Sequence, residues 1–141
     1  MQAALSWKLL NPEYRYRLFD DEAQAQYVKE YGSPGTIKAF ELANSGAMRS
    51  DLWRALVLYE EGGVYADIDS ELYEHLHKII RPDDECVASL TGTKGLTHWL
   101  MMYRAKHPFL KRLLDSASAR IIAGERDPII ATGEPSLAAF G

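Results

Sequence analysis

Two carboxylates two residues apart, Asp67 and Asp69, follow directly on a short run containing Val64 and Ile68 and are the side chains best suited to chemistry. In a strand over residues 64–69, Val64, Ala66 and Ile68 face one way while Tyr65, Asp67 and Asp69 face the other. Like charges roughly 7 Å apart on one strand face repel each other unless a cation sits beside them. A hard divalent ion, Mn²⁺ or Mg²⁺, is the natural partner. Two carboxylates do not fill an octahedral shell, so water and an anionic ligand such as a diphosphate must supply the remaining oxygens. By itself, though, Asp-x-Asp is also a common acidic turn at a strand end.

A second charged pair lies just upstream. Residues 47–61 have the strongest helical pattern in the chain, with Met48, Leu52, Ala55, Leu56 and Tyr59 on one face and Trp53, Val57 and Leu58 covering much of the other. Such a helix is buried nearly all round. Asp51 and Arg54, three apart, fall on neighbouring turns at the edge of its apolar stripe. A buried charge without compensation costs several kcal/mol, so the two either pair with each other or grip a polar ligand. Arg49 supplies a further cation close by, and Gly62-Gly63 stops the helix before the strand begins.

The elements that must position these groups can be read from caps and periodicity. Residues 1–10 predict a short helix ended by Asn11-Pro12, and residues 14–19 alternate like a half-buried strand. Asp20 or Asp21 caps a helix running to Tyr31, with Gly32 at a left-handed C-terminal position; Ser33-Pro34 opens another, to Asn44. Residues 86–90 predict a strand, Thr97 and Pro108 start two helices, and residues 129–131 predict a last strand. Trp99 and the Met101-Met102-Tyr103 run belong to the core, and His98 to the first turn of its helix. Helices alternating with short strands indicate an α/β sheet of at least partly parallel type.

Composition narrows the function. At 141 residues with 47% hydrophobic and 26% charged side chains, the chain is expected to form one domain over residues 1–141 with a core of its own. A net charge of −4 without clustered Lys and Arg argues against nucleic acid; the nearest approach to a cluster is Arg15 and Arg17 among Tyr14 and Tyr16. No apolar run reaches the roughly 20 residues of a membrane span, and the first residues do not resemble a signal peptide, so a cytoplasmic location is the expectation. Cys86 is alone and forms no internal disulfide. His75 and His77 flank no third ligand and read as a solvated turn.

The block over residues 47–69 resembles the signature of glycosyltransferases with a DXD sugar-binding region, a group that includes yeast initiating mannosyltransferases, inositolphosphoceramide mannosyltransferases and, more distantly, clostridial glucosylating toxins. The resemblance rests on Ser50-Asp51 with Arg54, the Gly62-Gly63 stop, and Tyr65 two before Asp67-Ile68-Asp69. Ser6-Trp7, Asn11-Pro12-Glu13-Tyr14, Asp20-Asp21-Glu22 and His107-Pro108-Phe109 extend it more weakly. It implies a GT-A-like α/β fold, a nucleotide-diphospho-sugar transferase sheet flanked by helices, here lacking the family's first strand and its C-terminal histidine and serine-tryptophan elements. Where the family tends to have Thr-Gly-Pro, this chain has Thr132-Gly133-Glu134-Pro135.

The resemblance further implies that Asp51 and Arg54 hold hydroxyls of the donor sugar and that Asp69 binds the metal directly. It places Asp67 on the ribose or sugar, reaching the metal through water. Tyr65, on the carboxylate face, packs on the donor or belongs to the core. The implied partners are a nucleoside-diphosphate sugar, UDP- or GDP-hexose, and a glycan, lipid or protein acceptor. The implied reaction is metal-dependent, retaining hexosyl transfer. Two other readings compete: a non-catalytic sugar-nucleotide-binding module, and a phosphoaspartyl hydrolase, whose signature also has Asp-x-Asp. Ser70-Glu71 after the motif, in place of the expected threonine, counts against the hydrolase. So does the otherwise unexplained Asp51 and Arg54.

Overall fold

The computed structural model describes the backbone of residues 3–91 and 95–127, and the side chains of residues 5–87 and 101–127. The helices begin where short polar side chains take up otherwise unsatisfied N–H groups. After α1 (Ala3–Leu10), Asp20 caps α2 (Asp21–Tyr31) by accepting from the Ala23 N–H at 2.8 Å. Ser33 does the same for α3 (Pro34–Leu42), through Thr36, and Ser45 for α4 (Gly46–Glu61), through Met48. His107 caps α5 (Pro108–Ile122) with its Nδ1, 3.1 Å from the Phe109 N–H. None of the described helices is long and apolar enough to cross a membrane.

Three strands complete the described architecture: β1 (Gly63–Ala66), β2 (Cys86–Thr91) and β3 (Gly95–Tyr103), ordered β1-β3-β2 with both pairings antiparallel. The mixture of helices and a sheet agrees with the sequence reading, but no parallel pair occurs among the described residues. The expected helix from Thr97 is instead the central strand, so His98 and Trp99 lie in β3 and not in a helix. A short apolar run suits a buried strand as well as a buried helix. Here β3 has partners on both sides, and that pairing overrides local propensity.

Three further expectations change. Residues 14–19 form no strand, because they find no ladder partner among the described residues. Gly32 is not left-handed (φ −70°); a Cβ there would stand 2.6 Å from the Val28 carbonyl oxygen, so close approach is what requires glycine. And β1 ends at Ala66, before either carboxylate, which leaves Ile68 67% exposed where strict alternation would bury it. The strand expected at residues 129–131 lies outside the described residues.

Helix α4 is the centre of the molecule, packed against α2, α3, α5, β1 and β3. As its pattern requires, Met48, Leu52, Ala55, Leu56 and Leu58 are buried, with Trp53 closing the opposite side. Leu110, Leu113 and Ile121 of α5 and Met101 of β3 meet this core. The C-terminal end of α4 is locked by the turn before α5. Lys106 there has φ 62° and donates its N–H to the Tyr59 carbonyl at 2.6 Å, while its Nζ reaches Glu60.

Gly62 sits at this junction with φ +69°, and a Cβ on it would lie 2.7 Å from the Ala105 nitrogen and 3.2 Å from the Tyr103 oxygen. Gly63 also has positive φ (+113°) but faces open space. Gly62→Ala should therefore cost roughly 2 kcal/mol or more, from backbone strain and contact together, and Gly63→Ala about 1 kcal/mol from strain alone. Urea unfolding midpoints of the two variants should fall in that order; coincident midpoints would remove the close approach as a constraint.

Candidate donor and metal site

The site is built outward from α4. Asp51 and Arg54 form an ion pair within the helix, with side chains only 15% and 11% exposed. Arg49 does not compete for Asp51, since its guanidinium donates to the Ala43 carbonyl at 3.0 Å. Arg54 also lies over the ring of Tyr65, 4.9 Å from its centroid, so the cation is compensated by a carboxylate and an aromatic face together. Tyr65 is in β1, and its hydroxyl donates to Asp67 Oδ1 at 2.7 Å. Asp51, Arg54, Tyr65 and Asp67 are thus joined in one chain of contacts.

Asp67 opens a turn that carries Asp69. The Ser70 N–H and Oγ both donate to the Asp67 carbonyl, at 2.9 and 2.6 Å, and fold the chain back immediately after β1. Helix α1 straps this turn down. Trp7 Nε1 donates to the Ser70 carbonyl (2.9 Å), Ser6 Oγ accepts from the Leu72 N–H (3.0 Å), and buried Asn11 accepts from the Leu76 N–H (2.8 Å). The sequence flagged Ser6, Trp7 and Asn11 only through resemblance. Trp7 and Asn11 are about one helical turn apart, but the partners of all three, some 65 residues away, could not be read locally.

Tyr65, Asp67 and Asp69 all line a cleft of about 470 Å³. Trp53 and residues 14–19 also form part of its lining. Arg17 among them is held by Glu61 at 2.7 Å and lies over Phe19. Asp51 and Arg54 do not reach this cleft. They border a much smaller hollow against Leu113, Leu114 and Ala117 of α5. The structure therefore brings Tyr65, Asp67 and Asp69 to one lining and connects Asp51 and Arg54 to them through the Tyr65 ring.

The donor chemistry fits a hard divalent ion. Asp67 has one oxygen committed to Tyr65, and Asp69 is exposed with no hydrogen bond or ion pair among the described residues. No group of three or more His, Cys, Asp or Glu that could hold a metal occurs among the described residues, so Asp67 and Asp69 would leave most of a coordination shell to water and ligand oxygens. His75 and His77 do not supply it as a pair. Their rings lie 5.3 Å apart, and His75 Nδ1 is taken by the Leu10 carbonyl at 2.6 Å.

The fold of this chain is that of a glycosyltransferase: it superposes on the PaToxG glycosyltransferase with a TM-score of 0.77 at 17% identity, over 97% of this chain and 59% of that one. Residues 1–87 match the family model of the glycosyltransferase sugar-binding region containing a DXD motif, and the chain belongs to that family. Relatives include the initiation-specific alpha-1,6-mannosyltransferase of Schizosaccharomyces pombe, 30% identical over 78 residues. Another is the mannosyl phosphorylinositol ceramide synthase of Saccharomyces cerevisiae, 29% identical over 107 residues. These alignments cover 52% and 76% of this chain but only 20% and 27% of the relatives.

Burial raises the Tyr65 hydroxyl well above the ordinary tyrosine range, despite Arg54, and the hydrogen bond to Asp67 adds to the rise. Tyr27 is raised in the same direction by burial and Glu61, and Tyr103 is pushed up by burial to about 12. Unfolded tyrosines ionise near pH 10, so above that pH the unfolded state binds fewer protons than the folded one and stability falls as pH rises. Urea unfolding from pH 9 to 11 should show this decline, and Tyr65→Phe should make it shallower. An unchanged slope in Tyr65→Phe would mean that this hydroxyl is not held protonated.

Proposed function

We propose that this chain carries the donor-binding part of a metal-dependent, retaining glycosyltransferase that uses a nucleoside-diphosphate hexose, with UDP or GDP as the nucleotide. The observation that carries the reading is the exposed carboxylate of Asp69 beside Asp67 on the lining of the cleft, joined through Tyr65 to the Asp51 and Arg54 pair. Family membership favours it over a phosphoaspartyl hydrolase.

In this reading Asp69 binds Mn²⁺ or Mg²⁺ directly, and Asp67 holds the ribose or sugar and reaches the ion through water. The ion, when bound, neutralises the departing diphosphate. Asp51 and Arg54, which line a separate small hollow, would accept from and donate to vicinal hydroxyls of the sugar once that hollow opens to the cleft beside Tyr65. Tyr65 fixes one Asp67 oxygen and leaves the other for the ligand. Carboxylate oxygens near the anomeric carbon would stabilise the positive charge that develops there as the diphosphate leaves. The acceptor is a hydroxyl of a glycan, lipid or protein; two relatives carry mannosyltransferase and mannosyl phosphorylinositol ceramide synthase in their names.

Calorimetry with a nucleoside diphosphate present should show Mn²⁺ binding in wild type and at least a tenfold loss in Asp69→Asn. Equal affinity in the two proteins would sink the metal assignment.

Asp51→Ala separates sugar recognition from a purely structural ion pair. A lost hydrogen bond to a charged group is worth about 1.5 to 3 kcal/mol, so sugar-nucleotide affinity should fall roughly tenfold or more. Affinity for the bare diphosphate should hardly change. A structural pair would instead show as a stability loss of about 3 to 5 kcal/mol, with both ligands weakened in parallel. Titration of both ligands with the melting temperature recorded alongside distinguishes the two.

A further inference from the structure

The turn that carries Asp69 owes little of its shape to its own side chains. Between Asp67 and Glu74 only Leu72 is buried, while Ile68, Asp69, Glu71 and Tyr73 are exposed. Beyond the Ser70 bonds to the Asp67 carbonyl, what fixes it is a row of hydrogen bonds to residues 6–11. Besides the bonds made by Trp7, Ser6 and Asn11, His75 Nδ1 meets the Leu10 carbonyl at 2.6 Å. A carbonyl can only accept, so the imidazole donates. The Trp7 bond falls on the carbonyl of Ser70, the residue directly after Asp69.

The anchors are also fixed to one another. Asn11 is 2% exposed, and its Nδ2 and backbone N–H both donate to the Trp7 carbonyl, at 3.3 and 3.2 Å. No described side chain of α1 belongs to the buried apolar clusters around α4, so these polar contacts are not a by-product of core packing. A ligating carboxylate must be held to within about 0.5 Å of its working position. Contacts that orient a ligand from outside the coordination shell are worth about 10- to 100-fold in metal affinity.

We propose that Ser6, Trp7 and Asn11 are positioning residues for the divalent ion, acting on Asp69 through the backbone of residues 70–76 without touching the ion. The proposal rests on the donor-binding reading above. It makes α1 docking and ion binding two sides of one equilibrium. Such coupling is reciprocal: whatever factor docking adds to ion affinity, the ion with its diphosphate adds to docking. The unit that binds the donor therefore includes a helix more than 50 residues before the carboxylates in the chain, and ligand binding tightens that helix onto the turn.

Ser6 gives the cleanest test, because Trp7 and Asn11 line the cleft themselves and Ser6 does not. Mn²⁺ binding is measured by calorimetry with UDP, and separately with GDP, in wild type, Ser6→Ala and Ser6→Thr, with ligand-free urea midpoints alongside. Ser6→Ala removes the acceptor for the Leu72 N–H and should bind Mn²⁺ about tenfold more weakly, whereas Ser6→Thr keeps the hydroxyl and should match wild type. In wild type, Mn²⁺ with the diphosphate should slow amide exchange at Leu72 and Leu76, whose N–H groups Ser6 and Asn11 hold. Wild-type affinity in folded Ser6→Ala, whatever its urea midpoint, would overturn the proposal and leave the donor-binding reading standing. So would a loss in Ser6→Thr equal to that in Ser6→Ala. If Ser6→Ala does not fold, exchange decides: unchanged rates at Leu72 and Leu76 in ligand-saturated wild type overturn the proposal. Absence of Mn²⁺ binding to wild type would instead sink the donor-binding reading, and this proposal with it.

Discussion

The rest of the structure depends on how a guanidinium is kept inside the central helix. Arg54 is 9% exposed in a segment otherwise given over to Leu, Ala, Met and Trp, and such a charge is tolerable only with close compensation. Asp51 supplies the counter-charge and Tyr65 an aromatic face, so that α4 and β1 are held in register by electrostatics as well as by packing. Tyr65 in turn spends its hydroxyl on Asp67. The position of one carboxylate in the cleft is therefore set by a charge buried on the other side of the ring.

The sequence was legible where interactions are local. Caps at Asp20, Ser33 and Ser45, the all-round burial of α4 and the stop at Gly62 follow from spacing of a few residues, and all are present. The family was legible too: the block from Ser50 to Asp69 was recognisable because helix, stop and paired carboxylates occur together. What was not legible depended on partners far away. The segment from Thr97 read as a helix because its apolar run has no period of its own; two neighbouring strands make it a strand. Residues 15–19 show the reverse, a strand pattern without a ladder. The separation of Asp51 and Arg54 from the cleft could not be inferred either, since helical spacing places side chains on a face without saying what that face meets.

The carboxylates themselves are held from outside the motif. They sit on a turn and not on the strand, and a turn of this length has little rigidity of its own. Hydrogen bonds from Trp7, Ser6 and Asn11 to backbone groups of Ser70, Leu72 and Leu76 make α1 its support. Backbone groups are the partners at every one of these contacts, so the strap fixes the path of the chain without engaging the side chains of Ser70, Leu72 and Leu76.

The close approach of Gly62 to Tyr103 and Ala105, together with the pairing of Gly63 with Tyr103, also orders events in time. Helices α2 to α4 close through contacts between neighbours in sequence, whereas β1 acquires its ladder only when a strand some 40 residues later arrives. Long-range closure of this kind comes late in folding, because the entropy of the intervening loop must be lost before the new contacts compensate. On a ribosome, the helical half of the molecule can take shape while β3 is still in the exit tunnel. Strand β1 therefore gains its ladder only after β3 has emerged, although α1 can already hold the turn that follows it.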